Sequence, residues 1–170
     1  MNQFIKVIKA LLNALMTVII IIGSIFIFLY IIGIEPFVVE TGSMEPEIAT
    51  YSLVMINKHA KYEDIKENDV IGFKLETGAK VIHRAIKITE EGIETKGDAN
   101  SVSDGISTNR SNFIGKNVCS IPKVGYVVKL IQTKRGKIIL GTVVVVLVLA
   151  GILIGETDSE KNVSKKEKKK

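Results

Sequence analysis

One short segment, 39-VETGSMEPEI-48, combines residue types that could present a nucleophile. Gly42 lets the chain turn sharply without a Cβ clash, and Pro46 prevents the segment from continuing as regular structure. The hydroxyl of Ser43 is therefore expected to project from a transition between a strand and a loop, where a nearby base could activate it. Gly and Ser alone are also typical of an ordinary turn, so the interpretation depends on the base.

A candidate base lies in 80-KVIHRAIKI-88, which alternates as a β-strand. His83 shares its predicted face with the small side chains Val81 and Ala85, which leaves room beside the imidazole for another group. A neutral histidine is suited to accept a proton from a serine hydroxyl. His59 lies in a charged stretch and is expected to be solvated.

A candidate third partner lies in 95-TKGDANSVSDG-105, which follows that strand through a predicted turn at 90–94. If Asp98 or Asp104 reached His83, it would fix the imidazole tautomer and stabilise the imidazolium that forms during attack. Carboxylates in loops rich in Gly, Ser and Asn usually cap turns, so the spacing alone does not choose between the two.

The elements that must position these groups are predicted to be strands. Short β-branched runs recur within residues 35–137, separated by clusters of Gly, Asn, Asp and Ser. A mostly β fold follows: a compact, antiparallel β domain over residues 35–137, flanked by N- and C-terminal transmembrane helices. The predicted strands are 36–41, 52–56, 70–73, 81–88 and 124–131.

Two apolar runs flank this domain. Residues 10–34 and 138–155 contain 25 and 18 residues without a charge, and a bilayer core takes about 20 residues of helix. The first run is longer than that of a cleaved secretory signal, so an uncleaved anchor is predicted within residues 1–34. Residues 156–170 are predicted to form a Lys-rich tail with too few apolar residues to fold. Lysines outside both runs predict a multi-pass protein with cytoplasmic flanks and an extracytoplasmic β domain.

The charge distribution argues against nucleic-acid binding. The formal net charge is +5, but residues 35–137 carry 15 basic and 14 acidic side chains, and the flanks carry 8 and 4. A nearly neutral domain offers no broad phosphate-binding face. The single cysteine, Cys119, excludes an intramolecular disulfide and a cysteine metal cluster, and the chain has only two histidines. We expect no metal and no cofactor.

Four segments in this order after an apolar run resemble type I signal peptidase of the endoplasmic-reticulum kind, the branch shared by eukaryotes, archaea and some sporulating Gram-positive bacteria. The resemblance covers roughly residues 15–130. In the mainstream bacterial enzymes of this family the strand segment carries a lysine base, and the histidine here selects the other branch. The segments are 41-TGSMEP-46, 69-DVIGF-73, 81-VIHR-84 and 96-KGDANSVSD-104.

The resemblance implies a role for each matching residue. Ser43 corresponds to the nucleophile and His83 to the general base. Asp104 corresponds to the acid that orients the histidine, and Asp98 is a supporting residue of the same segment. The backbone amide of Ser43 and the hydroxyl of Thr41 correspond to the oxyanion donors. The family usually has serine at the latter position, and the extra methyl group of Thr41 restricts χ1.

The implied function is a membrane-bound serine endopeptidase that removes signal peptides from secreted preproteins through an acyl-enzyme. It would act at the outer surface of the cell membrane, or at the endoplasmic-reticulum membrane in a eukaryote. The implied partners are signal peptides and the lipid bilayer, with the secretion machinery as a further candidate. An extended substrate would add along the strand at 36–41, where Phe37 and Val39 share one face and are either pocket residues or core.

Two alternatives remain open from the residues alone. One is a membrane-anchored serine protease that uses Lys80 or Lys87 as its base and has other substrates. The other is a non-catalytic surface module anchored in the membrane, in which Ser43 belongs to an ordinary turn.

Overall fold

The computed structural model describes residues 3–167, with side chains except those of residues 4, 5 and 152–167. The described residues fall into two compact units. One comprises residues 28–130 and holds the whole β-sheet, and the other comprises the helical residues 3–27 and 131–167. The last three lysines of the predicted tail, residues 168–170, lie outside the described residues.

Seven strands form one antiparallel sheet in the order β1-β2-β7-β3-β4-β5-β6. The predicted mostly β, antiparallel fold is thereby confirmed. The elements are α1 (Gln3–Ile31), β1 (Ile34–Val38), β2 (Leu53–Asn57), a short 3-10 helix (Tyr62–Asp64), β3 (Val70–Lys74), β4 (Lys80–Ile88), β5 (Ile93–Lys96), β6 (Ile106–Thr108), β7 (Phe113–Ile121), α2 (Val124–Gln132) and α3 (Lys134–Glu167).

Two clusters of buried apolar side chains fix this sheet. The first consists of Val39, Met44, Ile48, Val54 and Ile56. The second consists of Ile65, Ile71, Phe73, Ala85 and Ile93. Burial of each large side chain stabilises the fold by about 1.5–3 kcal/mol. Ser43 directly precedes a member of the first cluster, and His83 lies two residues before a member of the second, so both are held close to the core.

The helix α1 contains the one stretch, Lys6–Ile31, that is long and apolar enough to cross a membrane among the residues whose side chains are described. Its 26 residues correspond to about 39 Å of helix, against about 30 Å of hydrocarbon. The predicted second span at 138–155 lies within α3, whose side chains are described only as far as Gly151. That span stays a prediction.

The predicted strand at 124–131 is wrong, because these residues form the helix α2. The β-branched run suggested a strand, but Val124, Val127, Val128 and Ile131 also recur at the spacing of one helix face. The Gly125 amide donates a hydrogen bond of 2.9 Å to the carbonyl of Tyr51, and a Cβ at this glycine would lie only 2.5 Å from that oxygen. Tertiary contacts of this kind override the weak local preference for strand.

Three boundaries also differ from the predictions. The strand predicted at 36–41 ends at Val38. The turn predicted at 90–94 is shorter, because Ile93 already begins β5. The helix α3 extends to Glu167, into the tail that was predicted to remain unfolded. Lys and Glu are good helix formers, which favours continuation of the helix beyond the apolar run.

Candidate active site

Ser43 lies five residues beyond the end of β1, in a tight turn that is fixed on both sides. The Glu45 amide donates to the carbonyl of Gly42 at 3.0 Å, and the Ile48 amide donates to the carbonyl of Met44 at 2.8 Å. Met44 is completely buried, so the residue next to the serine is anchored in the core. Ser43 itself is half-buried, and its hydroxyl remains accessible for chemistry.

The loop after β5 holds the serine from the other side. The Ala99 amide donates a hydrogen bond of 2.9 Å to the carbonyl of Ser43. Gly97 approaches this same carbonyl so closely that a Cβ at that position would lie 2.6 Å from the oxygen. The segment around Ser43 and the loop containing Asp98 and Asp104 are thus joined through backbone contacts.

His83 projects from β4 directly toward the serine. Its Nε2 atom lies 3.0 Å from the Ser43 hydroxyl oxygen, and only 8% of the residue is exposed. The ring packs edge-on against Phe73, with centroids 6.3 Å apart. β4 pairs with β3 through the register of His83 opposite Ile71. A central strand therefore sets the position of the imidazole.

Asp104 completes the arrangement from the loop between β5 and β6. Its Oδ2 atom lies 2.6 Å from His83 Nδ1. An ionised carboxylate only accepts hydrogen bonds, so the Nδ1–H group must be the donor. The lone pair of the neutral ring then lies on Nε2, facing Ser43. This is the tautomer that a proton-accepting histidine requires.

Asp98 is not brought to the histidine. It forms a bidentate pair with Arg84, with Nε–Oδ1 and Nη2–Oδ2 distances of 2.8 Å and 2.6 Å. The hydrogen bonds that Arg84 donates to Asp98 raise the pKa of Arg84, although burial opposes the charge. Arg84 also donates to the carbonyl of Asn68 at 2.9 Å. The structure thus separates the two acids: Asp104 faces the imidazole, and Asp98 joins its loop to β4.

Thr41 lies on the exposed side of the serine. Its Oγ1 atom is 3.3 Å from the Ser43 hydroxyl oxygen, so the two hydroxyls share one small region. A hydroxyl at this position can turn toward an oxygen that binds beside the serine.

A cavity of about 640 Å³ opens beside the Ser43 hydroxyl and the His83 ring. Phe37 and Val39, the two predicted pocket residues, both line it. Val39 also belongs to the first core cluster, and Phe37 packs against that cluster, so each has one side toward the core and one toward the cavity. The full lining is Phe37, Val38, Val39, Glu40, Thr41, Ser43, Ala79, Lys80, Val81, Ile82 and His83.

The two lysines considered as alternative bases have other positions. Lys80 lines the cavity, but its ammonium group lies 3.4 Å from Glu35 and 4.4 Å above the Phe37 ring. The pKa of Glu35 is lowered mainly by a hydrogen bond from Lys58, with further help from the charge of Lys80. Lys87 is exposed and lies beyond a bulge in β4. In the described part of the chain, His83 is the base whose nitrogen contacts Ser43.

Two further hydroxyls lie at the site, and the sequence patterns did not predict a role for either of them. Thr95 in β5 donates a hydrogen bond of 2.6 Å to Asp104, and its oxygen lies 2.7 Å from the hydroxyl of Ser107 in β6. Thr95 lies in the segment 95–105 that was interpreted as a loop, and Ser107 lies outside every predicted strand. Threonine and serine are common in loops, so their residue types alone carried no signal for this role.

Comparisons with known proteins show which family the chain belongs to. A family model described as "Signal peptidase, peptidase S26" matches residues 8–114, which is more than half of the chain. The curated protein "Signal peptidase I W" of Bacillus subtilis (strain 168) is 35% identical over 78 residues. That alignment covers 44% of this chain and 41% of the length of the relative. Ser43, His83 and Asp104 all lie within the residues matched by the family model.

Proposed function

Because the chain belongs to the signal peptidase family, peptidase S26, we propose that it is a membrane-bound serine endopeptidase that removes signal peptides from secreted preproteins. The observation that carries the proposal is the continuous series of contacts from Asp104 to His83 to Ser43, at 2.6 Å and 3.0 Å. Three residues separated in sequence form the arrangement that acyl transfer by a serine requires.

In the proposed acylation step, His83 Nε2 takes the proton from the Ser43 hydroxyl as its oxygen attacks the scissile carbonyl. Asp104 accepts the hydrogen bond from Nδ1 and stabilises the imidazolium that forms. The Ser43 amide and the Thr41 hydroxyl are the proposed donors to the oxyanion. The imidazolium then gives its proton to the leaving amine, and the peptide carbonyl remains bonded to Ser43.

Deacylation reverses these roles with water as the nucleophile. His83 takes a proton from the water molecule, the resulting hydroxide attacks the ester, and Ser43 leaves after recovering the proton. The products are the freed serine and the signal peptide with a new carboxylate, while the mature protein has already left with its amine. The proposed chemistry needs only groups of this chain and water.

The proposed substrate path is the cavity between β1 and the first half of β4. β1 is an edge strand that pairs with β2. In β4, residues 80–83 pair with β3, whereas β5 pairs from Arg84 onward. Both segments therefore keep one edge for an added strand within the described sheet. An extended peptide can bind there through its main chain while alternate side chains enter pockets.

The cavity walls support selection of small side chains. Phe37, Val39 and Ile82 line the cavity and also pack against the first core cluster, so they cannot move aside at low cost. Large substrate side chains would need to displace them. We propose that Phe37 and Val39 limit the residues that fit immediately before the cleaved bond.

The proposed membrane location follows from the family, which is membrane-associated, and from α1. Ser43 lies 12 residues beyond the end of α1 at Ile31, so the connecting chain can span at most about 40 Å. The helix α2 also exposes apolar side chains, at Tyr126, Val127 and Leu130. Such a face is suited to contact the interface between lipid and water. We include the second span at 138–155, with the β domain outside the cytoplasm, in this proposal.

Cys119 offers a direct test of this topology, because it is the only cysteine in the chain and is exposed on β7. A membrane-impermeant maleimide added outside sealed cells or vesicles of native orientation should label Cys119 without detergent. Labelling that requires detergent would contradict an extracytoplasmic β domain. The Cys119→Ser chain is the control for reagent specificity.

The enzymatic proposal is tested by incubating a radiolabelled preprotein with membranes that contain the full chain. We expect Ser43→Ala and His83→Ala to abolish detectable cleavage, and Asp104→Ala to lower kcat by about 10⁴-fold. Undiminished cleavage by Ser43→Ala membranes would support the non-catalytic alternative or a contaminating protease. Undiminished cleavage by His83→Ala membranes would support a lysine base.

A further inference from the structure

A chain of two hydroxyls extends behind the Asp104–His83 pair. Thr95 is completely buried, and its hydroxyl donates to Asp104 Oδ2 at 2.6 Å. This is the same oxygen that lies 2.6 Å from His83 Nδ1. The hydroxyl oxygen of Ser107 lies 2.7 Å from that of Thr95.

Counting protons fixes the direction of these bonds. A threonine hydroxyl has one proton, and an ionised carboxylate can only accept. The Thr95 hydroxyl therefore donates its proton to Asp104, and the Ser107 hydroxyl must be the donor in the hydrogen bond between Ser107 and Thr95. The donors thus run from Ser107 to Thr95 to Asp104, while the imidazole donates to the same carboxylate oxygen from the other side.

Asp104 needs such support because it lies in a loop, with 26% of its side chain exposed. A carboxylate held by one hydrogen bond can turn toward water about χ1 and χ2. The backbone also fixes this residue, since the Asp104 amide donates to the carbonyl of Thr95 at 2.9 Å. Thr95 therefore holds both the main chain and one carboxylate oxygen of Asp104.

We propose that Thr95 is a positioning residue that aims the Asp104 carboxylate at His83, and that Ser107 in turn holds the Thr95 hydroxyl. This inference rests on the proposed function of Ser43, His83 and Asp104. Thr95 does not touch the reacting atoms. Its effect is transmitted through Asp104, by keeping the imidazole in the tautomer and orientation that accept the Ser43 proton.

The test compares three variants of the full chain in membranes that cleave the same preprotein. Thr95→Val keeps the shape of the side chain but removes its hydroxyl, and we expect kcat to fall about 10- to 100-fold with KM within about twofold. Thr95→Ser keeps the hydroxyl, and kcat should stay within about threefold of the parent value. If Thr95 had a role in packing alone, Thr95→Val would not lose more kcat than Thr95→Ser.

Thr108→Val is the matched control. Thr108 lies in the neighbouring strand β6 and is 1% exposed, but its hydroxyl has no hydrogen-bond partner among the described residues. Removing it should leave kcat and KM unchanged. An equal loss of kcat in this variant, or in Thr95→Ser, would overturn the inference, as would a Thr95→Val chain with parental kcat.

Ser107→Ala covers the case in which Thr95→Val fails to fold. Ser107 is half-buried, and its loss removes the donor to Thr95 without touching Asp104. We expect kcat to fall severalfold, and parental kcat would count against the proposal. Ser43→Ala is measured in parallel. Cleavage that survives Ser43→Ala refutes the proposed function and this inference together, whereas serine-dependent cleavage with parental kcat in Thr95→Val refutes this inference alone.

Discussion

Gly97 is predicted to be essential for the position of the nucleophile, because no side chain fits at that point. A Cβ on Gly97 would lie 2.6 Å from the Ser43 carbonyl oxygen and 2.8 Å from the Asn100 amide nitrogen. The Asn100 side chain can rotate away, but the Ser43 carbonyl belongs to the backbone and also accepts a hydrogen bond from the Ala99 amide. Gly97→Ala must therefore move the backbone of Ser43 or of residue 97 itself, and either movement strains the contact that holds the serine.

The size of that movement sets the expected effect. Real Cβ atoms essentially never approach another atom closer than 3.0 Å, so the Ser43 carbonyl and the new methyl group must separate by at least about 0.4 Å. A misplacement of about 1 Å can cost about 100-fold in rate. We therefore expect Gly97→Ala to lower kcat by about 5- to 50-fold. Overpacking should also cost about 1–3 kcal/mol of stability.

Kinetics of preprotein cleavage and thermal unfolding of the purified full chain measure the two effects separately. Gly72→Ala is the control, because a Cβ at Gly72 would meet Ile56 at an ordinary contact distance of 3.7 Å. That variant should keep parental kcat. A Gly97→Ala chain with kcat within twofold of the parent would refute the reasoning that this close approach positions Ser43.

Two further predictions concern the ion pairs of the β domain. Asp98→Asn should lower the free energy of unfolding by about 1–3 kcal/mol, because it weakens the bidentate pair with Arg84. The kcat of this variant should stay within about tenfold of the parent value. A loss of kcat as large as that in Asp104→Asn would contradict the prediction. Lys116→Met should lower the free energy of unfolding at pH 7 by about 0.5–1 kcal/mol, since Lys116 Nζ lies 2.7 Å from Asp69 Oδ1. Burial opposes ionisation of Asp69, but hydrogen bonds from Lys116 and the Lys66 amide still lower its pKa. The pair therefore stabilises the fold at pH values above the ordinary aspartate pKa of 3.8. The difference in the free energy of unfolding between parent and variant, measured in urea, should vanish as the pH falls below this value and through the lowered pKa of Asp69. A difference that stays constant with pH would contradict the assignment.

Much of the sheet could be predicted from sequence because short β-branched runs separated by turn-forming residues mark several of its strands. The predicted strands at 52–56, 70–73 and 81–88 correspond to β2, β3 and β4. The strand predicted at 124–131 failed because its β-branched residues form α2, where the close contact between Gly125 and Tyr51 involves residues far apart in sequence. β5 and β6 are only four and three residues long. Segments this short carry too little periodicity to be distinguished from loop.

The candidate site shows the same division between local and long-range information. Ser43 and His83 could be proposed from a turn and a strand, each recognisable in its own segment. The spacing of Asp98 and Asp104 could not rank them, because both lie in one polar loop and differ only in their partners; only the family resemblance assigned the acid role to Asp104. Arg84, next to the histidine on β4, engages Asp98. The proposed role of Thr95 depends on its contacts with Asp104 in the following loop and Ser107 in β6, and no local pattern encodes these contacts.

The central claim is that Ser43 attacks the substrate carbonyl with His83 as its base. The most direct measurement is mass spectrometry of the full chain, quenched in acid during the first turnover of a preprotein. We expect a peptide acyl group on Ser43 in the parent chain, and neither adduct nor cleavage in Ser43→Ala. Continued cleavage by purified Ser43→Ala protein, or an acyl group on a different residue, would contradict the account.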